Sequence, residues 1–304
     1  MPGGSSTMAA GAFVGVDWGT TNARFTLASA AGTVLAERAG PGIAELGTPA
    51  AIEAACFAMI GGWPTVPVVI AGMAGSDIGW QKAPYVPAPA TVAAVHAAVV
   101  RFAARSVSIA ILPGVTTLRK DGLPDVMRGE ETQIFGSMSG ASGLVCLPGT
   151  HSKWAQVSNG EITCFHTAIT GELMDAVGRG TILLNPKHAP VARPSAHFLD
   201  GVTAINHSKL GLETMLFTVR SRQMAGTLAI VDADDYLAGL CIGSDIRSAL
   251  AFQPDVRAVT LVGTPPLTAL YAAALANQAI QSQQVDGKAA ALAGLTGAYQ
   301  AIFA

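Results

Sequence analysis

The chain has 304 residues, 50% hydrophobic and only 12% charged, with 18 Lys plus Arg against 20 Asp plus Glu for a formal net charge of -2. Such a length buries about three-quarters of the unfolded surface without staples, and the charge balance offers no basic stripe to a nucleic-acid backbone, so no nucleic-acid partner is expected. No apolar run reaches the length of a membrane span, and the four cysteines at 56, 146, 164 and 241 form no C-x-x-C pair, as expected of reduced thiols in a cytoplasmic protein.

Residues 1–10 lack a basic start and a leucine-rich centre, and they read as a short disordered leader rather than a signal peptide. Three strands follow over 13–16, 24–28 and 33–37, because Val, Phe and Thr favour the pleat while Gly19, Asn22 and Gly32 supply turns. The first turn is Asp17-Trp18-Gly19-Thr20-Thr21-Asn22-Ala23-Arg24. Gly19 lets the backbone close on a phosphate, Thr20 and Thr21 offer hydroxyl and N–H donors, and Asp17 offers an oxygen to hydrated Mg²⁺. An ordinary hairpin turn uses the same residue types. A helix over 48–60 carries Ile52, Cys56, Met59 and Ile60 on one side. A strand over 66–71 then opens into Gly72-Met73-Ala74-Gly75-Ser76-Asp77-Ile78-Gly79-Trp80. Ligands sit at the carboxyl ends of strands in α/β sheets, so the N–H groups near Gly75, with Ser76, suit a carboxylate or hydroxyls. A further strand over 107–112 ends at Pro113-Gly114.

Residues 126–139 read as a helix connecting two halves, with Glu130 and Glu131 in its early turns and Gly140 past its end. Neighbours on a helix point about 100° apart, so the two carboxylates do not share one narrow site. One is a candidate acid/base or hydroxyl-positioning group, the other a partner for water, metal or Arg128; a plain solvated first turn is the alternative. The opening pattern then returns. A strand over 144–147 meets Pro148-Gly149-Thr150-His151, a strand over 152–157 follows, and the Asn159-Gly160 hairpin signal leads to a third over 161–166. Two such glycine turns can hold a polyphosphate, with Lys153 neutralising charge and His151 either structural or functional. Thr170 either caps a helix over 170–177 or faces a substrate. Helices over 213–225 and 235–250 precede a strand over 259–262, whose turn Gly263-Thr264-Pro265-Pro266 lets a nucleotide base approach the backbone before a helix over 267–281. The reading is two α/β domains, 12–140 and 141–304, with the last helices able to pack back on the first and the apolar late helices as the place for a homodimer surface.

The chain lacks G-x-x-x-x-G-K-[ST], a G-x-G-x-x-G after the first strand, and G-x-S-x-G, which disfavours P-loop, dinucleotide and hydrolase chemistry. Its six histidines have no metal-ligand spacing.

Taken together, V-D-W-G-T-T-N-A-R at 16–24, G-M-A-G-S at 72–76, M-R-G-E-E-T-Q at 127–133, L-P-G-T-H-S-K-W at 147–154 and T-G-E-L at 170–173 resemble the 2-dehydro-3-deoxygalactonokinase family, a branch of the sugar kinase, actin and Hsp70-like superfamily. The resemblance runs from about residue 12 to 281. It implies two ribonuclease H-like domains with mixed sheets flanked by helices, a nucleotide cleft between them, and ATP and Mg²⁺ as cofactors. It implies phosphoryl transfer to the 6-hydroxyl of 2-dehydro-3-deoxy-galactonate. On it, Asp17, Gly19, Thr20 and Thr21 serve metal and phosphate, Gly149, Thr150 and His151 form the second phosphate turn, and Gly263 and Thr264 approach the adenosine. Glu130 corresponds best to the base, with Glu131 and Asp125 as alternatives. Arg24 or the Gly75-Ser76 loop recognises the sugar-acid carboxylate, and Asn22 or Asp77 its hydroxyls. The competing readings are a kinase for the gluco epimer and an ATP-binding protein without activity.

Overall fold

The structure, a computed structural model, describes residues 11–184 and 191–304; the leader expected at 1–10 lies outside the described residues. The chain divides into two compact units. The first takes the chain to Ser142 together with Val157–Cys164 and Gly287–Ala304, and the second takes Gly143–Gln156 and Phe165–Asp286. Both are α/β, with mixed sheets flanked by helices.

In the first unit β1 (Ala12–Trp18), β2 (Asn22–Ser29) and β3 (Val34–Pro41) form an antiparallel meander. After α1 (Ile43–Leu46) and α2 (Pro49–Ile60), β4 (Val68–Gly72) returns parallel to β1. The Thr48 hydroxyl starts α2 by accepting from the Ala51 N–H, with Pro49 at the first helical position. Next come β5 (Tyr85–Pro87), α3 (Val92–Ala97), β6 (Val100–Ala104), β7 (Val107–Ile111), β8 (Gly114–Leu118), β9 (Pro124–Met127) and α4 (Glu130–Ser137). The main sheet runs β3-β2-β1-β4-β7-β6, and β5-β8-β9 make a separate three-stranded sheet. Strand alternation sorts the core into two layers. Val14, Val16, Trp18 and Ile70 cluster with Ile52 and Cys56 of α2, whereas Phe13, Val69 and Ala71 cluster with Leu295, Ala298 and Tyr299.

The second unit holds β10 (Gly143–Leu147), β11 (Ser152–Ser158) as far as Gln156, β12 (Glu161–Ala168) from Phe165 onward, α5 (Thr170–Gly180), α6 (Ala196–His207), α7 (Leu212–Met224), α8 (Ala233–Phe252), β13 (Ala258–Gly263), α9 (Leu267–Ala276) and β14 (Gln281–Asp286). Its sheet runs β12-β11-β10-β13-β14, with β13 parallel to both β10 and β14. The short turns joining β10 to β11 and β11 to β12 allow only antiparallel pairing. Helix α8 is buried along most of its length because α5, α6, α7 and α9 all pack on it. The last helix, α10 (Gly287–Phe303), belongs to the first unit, where it packs on α4, β1 and β4 and stacks Tyr299 on Phe13 with ring centroids 4.5 Å apart.

Two expectations are corrected. Residues 126–139 are not one helix: β9 runs to Met127 and pairs antiparallel with β8, and α4 begins only after Gly129, whose φ of +106° an L side chain rarely adopts. The helix expected to reach 281 stops at Ala276; Ala279 turns the chain with φ +59°, and β14 follows, parallel to β13. All four thiols are free, and burial pushes those of Cys56 and Cys241 up to about 12, which leaves them inert. Among the described residues no helix is long and apolar enough to cross a membrane.

Candidate functional site

In the first unit three backbone segments meet at the carboxyl ends of two adjacent parallel strands. Trp18 pairs with Gly72 in register, and a Cβ on Gly129 would stand 3.2 Å from the Gly72 Cα. The Gly19–Asn22 turn, the Gly72–Gly79 loop and the start of α4 are thereby neighbours. The carbonyls of Gly19 and Thr20 accept from the N–H groups of Ile43 and Ala44 at 3.1 and 3.0 Å, so α1 fixes the turn from behind. Thr20, Thr21 and Asn22 are exposed. Asp17 lies opposite Arg24 in the β1–β2 register; burial raises its carboxyl and the guanidinium of Arg24 opposes that rise. Both line a depression of about 210 Å³ with Glu37 and Lys288.

The two consecutive glutamates separate cleanly. Glu131 has no exposed surface; its carboxyl accepts from the Gly129 N–H at 2.7 and 2.9 Å and from the Thr132 hydroxyl at 3.2 Å. Burial first, then the charge of Glu130, pushes it up to about 8. Glu130 is half-buried and accepts from the Arg128 N–H at 3.0 Å. Glu131 is thus committed to shaping the turn, and Glu130 is the more accessible of the two carboxylates. In the neighbouring loop Gly75 is buried, and the Ser76 hydroxyl donates to the Met73 carbonyl at 2.7 Å. Asp77 sits at the surface paired with Lys82 at 2.6 Å, and that hydrogen bond holds its carboxyl below the usual range.

In the second unit the turns at Gly149 and Gly263 also follow adjacent parallel strands, β10 and β13. Thr150, His151 and Thr264 are exposed, and His151 Nε2 lies 2.6 Å from Glu172 Oε2. The first turn of α5 presses on the Gly149–His151 turn: the Glu172 N–H donates to the Thr150 carbonyl at 3.0 Å, and a Cβ on Gly171 would stand 2.5 Å from the Gly149 oxygen. Beside it lies a cavity of about 320 Å³ lined by Gly171, Met174, Asp234, Leu237, Leu267 and Leu270. Its walls are mostly apolar with a few polar groups, the general character of a small-molecule pocket.

Two expected contacts are corrected. Lys153 is not a solvent-facing cation: it is only 6% exposed, and its ammonium donates to the Thr167 hydroxyl at 2.9 Å. Thr170 neither caps α5 nor faces outward; the cap position is Ile169, and the Thr170 hydroxyl donates to Asp245. Sequence reasoning saw Arg128 only as a partner for a glutamate and passed over Asp245 altogether. Arg128 stacks 4.2 Å over Tyr85, donates to the Ala83 carbonyl at 2.9 Å, and keeps Nε and Nη1 buried without a hydrogen-bond partner beside Gly75. Asp245 with Tyr271 forms a buried polar cluster whose members lie far apart in the chain.

Comparison with known proteins places this geometry. The family model of 2-keto-3-deoxy-galactonokinase matches residues 17–298. A Rhizobium meliloti (strain 1021) protein named "Probable 2-dehydro-3-deoxygalactonokinase DgoK1" is 38% identical over 97% of this chain and 98% of its own length. The 2-dehydro-3-deoxygalactonokinase of Escherichia coli K12 is 33% identical over 95% and 98%. A crystal structure of a Sinorhizobium meliloti protein described as of that kinase type superposes with a TM-score of 0.87 at 36% identity, covering 96% of this chain and 99% of that one. The activator of 2-hydroxyisocaproyl-CoA dehydratase from Clostridium difficile, solved with bound ADPNP, shares the fold at a TM-score of 0.52 and 13% identity, over 95% of this chain and 94% of that one.

Proposed function

The chain belongs to the 2-keto-3-deoxy-galactonokinase family and is a kinase of that type, and from that premise we propose that it transfers the γ-phosphoryl group of ATP to the 6-hydroxyl of 2-dehydro-3-deoxy-D-galactonate, giving the 6-phospho sugar acid and ADP. The observation that carries the substrate class is the family match, which runs through both units from residue 17 to 298. The cleft between two ribonuclease H-like domains belongs to this proposal as well.

In this reading the nucleoside enters the apolar cavity of the second unit, beside Gly263 and Thr264, and the polyphosphate takes donors from the Gly149–His151 and Gly19–Thr21 turns. The dehydratase activator with its bound ADPNP supports a nucleotide on this fold by analogy alone. Among the described residues no group of three or more His, Cys, Asp or Glu is placed to hold a metal. Mg²⁺ is held by one or two carboxylates and the substrate phosphates rather than by a protein cage, and in this reading Asp17 would be its carboxylate. When bound, Mg²⁺ neutralises phosphate charge.

Transfer between an anionic donor and an anionic sugar acid demands positioning and charge compensation more than covalent chemistry. Glu130 takes the proton of the attacking hydroxyl, and Glu131 holds the Gly129 turn that presents it. In this reading Arg24 or Arg128 meets the sugar-acid carboxylate, and the loop at Gly75 and Ser76 borders the acceptor. Steady-state assays on the galacto and gluco acids in parallel test the substrate. The expected outcome is a larger kcat/KM for the galacto acid; a larger value for the gluco acid would assign the chain to that epimer.

A further inference from the structure

Asp245 lies on α8, outside every motif that points to ligands, and it is 5% exposed. Its carboxylate gathers donors from three other elements. Trp154 Nε1 of β11 donates to Oδ1 at 2.9 Å, while the Thr170 hydroxyl of α5 and the Tyr271 hydroxyl of α9 donate to Oδ2 at 2.8 and 2.5 Å. The Tyr271 oxygen is also 2.7 Å from Ser152 Oγ. Burial raises the Asp245 carboxyl, and the hydrogen bonds from Tyr271, Thr170, Trp154 and Ser152 pull it back down. A buried carboxylate is tolerated only with such partners.

Each donor adjoins a position assigned to the nucleotide. Ser152 and Trp154 follow His151 on β11. Thr170 precedes Gly171, which presses on Gly149 and Thr150, and Tyr271 follows Leu270, which lines the 320 Å³ cavity together with Gly171. One carboxylate therefore ties the phosphate turn to the wall of the nucleoside cavity. ATP must fill both at once, so their spacing enters its affinity directly.

We propose that Asp245 is a positioning residue for the nucleotide, fixing the Gly149–His151 turn against the cavity formed by α5, α8 and α9 without touching a ligand. This rests on the assignment of ATP to the second unit. A merely structural strut would loosen the fold; a positioning residue also shifts nucleotide affinity selectively.

The test measures ATP binding by calorimetry on the full chain, together with steady-state constants, for three variants. Tyr271→Phe removes one hydroxyl and keeps the ring. Asp245→Leu leaves three buried donors without an acceptor. Asp245→Asn can satisfy them all, since its carbonyl accepts from Trp154 and its amide donates to hydroxyls of Thr170 and Tyr271 that rotate to accept. The expected result is a rise in ATP Kd of about tenfold in Tyr271→Phe, the loss of roughly one buried hydrogen bond, and at least as large a rise in Asp245→Leu. Asp245→Asn stays within about threefold of wild type, and the sugar-acid KM within about twofold in every variant. If Asp245→Leu does not fold, Tyr271→Phe decides alone. A folded Tyr271→Phe with unchanged ATP affinity, or with an equal rise in sugar-acid KM, overturns the proposal while leaving the kinase reading intact. Wild-type chain that binds no ATP removes that reading, and this inference with it.

Discussion

Two adjacent glutamates at the start of α4 divide the labour because one step along a helix turns a side chain by about 100°. The division predicts unequal variants. Glu130→Gln should lower kcat by about 10²- to 10⁴-fold, the usual worth of a general base, with ATP binding unchanged. Glu131→Gln should cost less than about tenfold, since the amide still accepts from the Gly129 N–H. Equal, slight losses in the two would leave Glu130 without a role as base. Glu131 carries a second expectation. Its folded pKa, about 8, stands above its ordinary 4.5, so the folded chain holds a proton that the unfolded chain releases between those values. Stability therefore falls as pH rises from about 4.5 to about 8 and levels off above, each unit of such a shift being worth about 1.4 kcal/mol. Glu131→Gln mimics the protonated acid. Denaturant titrations from pH 5 to 9 should show it close to wild type at the acid end and more stable at the alkaline end. A variant less stable than wild type at pH 9 would contradict the burial argument.

At the scale of elements, α10 closes the first unit through a contact that only small residues permit. A Cβ on Gly136 of α4 would lie 2.0 Å from the Ala290 carbonyl oxygen, and one on Gly294 of α10 would lie 2.1 Å from that of Thr132. Both obstacles are backbone, so the helices must separate. Gly136→Ala and Gly294→Ala should each destabilise the chain by about 1–3 kcal/mol, the cost of overpacking, read as a lower Tm; an unchanged Tm in both would mean that the helices do not meet this closely. Helix α10 was hard to read beforehand because alanine fills both of its faces and blurs the 3.6-residue period. The first three strands, α2, α5, α7 and α8 were legible from turn glycines, β-branched runs and apolar spacing. The β5-β8-β9 sheet was not, since Pro124–Met127 leads straight to α4 and only Gly129 marks the break. The site divides the same way. Its glycine turns carry local signals, whereas Asp245 meets Trp154, Thr170 and Tyr271 across 91, 75 and 26 residues of sequence, a distance no local pattern spans.

Across the whole molecule one plan is used twice. Each unit opens with three strands in reversed order and then sets a strand parallel to the first, giving β3-β2-β1-β4 and β12-β11-β10-β13. Both place glycine turns at the carboxyl ends of the central parallel pair, where α/β sheets take their ligands. The side chains around those turns differ. The first unit surrounds them with the charged groups Asp17, Arg24, Arg128 and Glu130, and the second surrounds them with an apolar cavity and a small polar turn. A shared topology with divergent linings predicts that the two substrates leave separate marks on the backbone. Hydrogen exchange on the full chain with ATP alone, metal chelated, should protect amides at 149–153, at 170–174 and at 264–271, and in the first unit only those of the Gly19–Thr21 turn. Exchange with the sugar acid alone should protect 72–80 and 128–131. Binding slows exchange where it removes local opening, so the effect belongs to the segments each ligand orders. Nucleotide-induced protection confined to the first unit would overturn the assignment of the nucleoside to the apolar cavity.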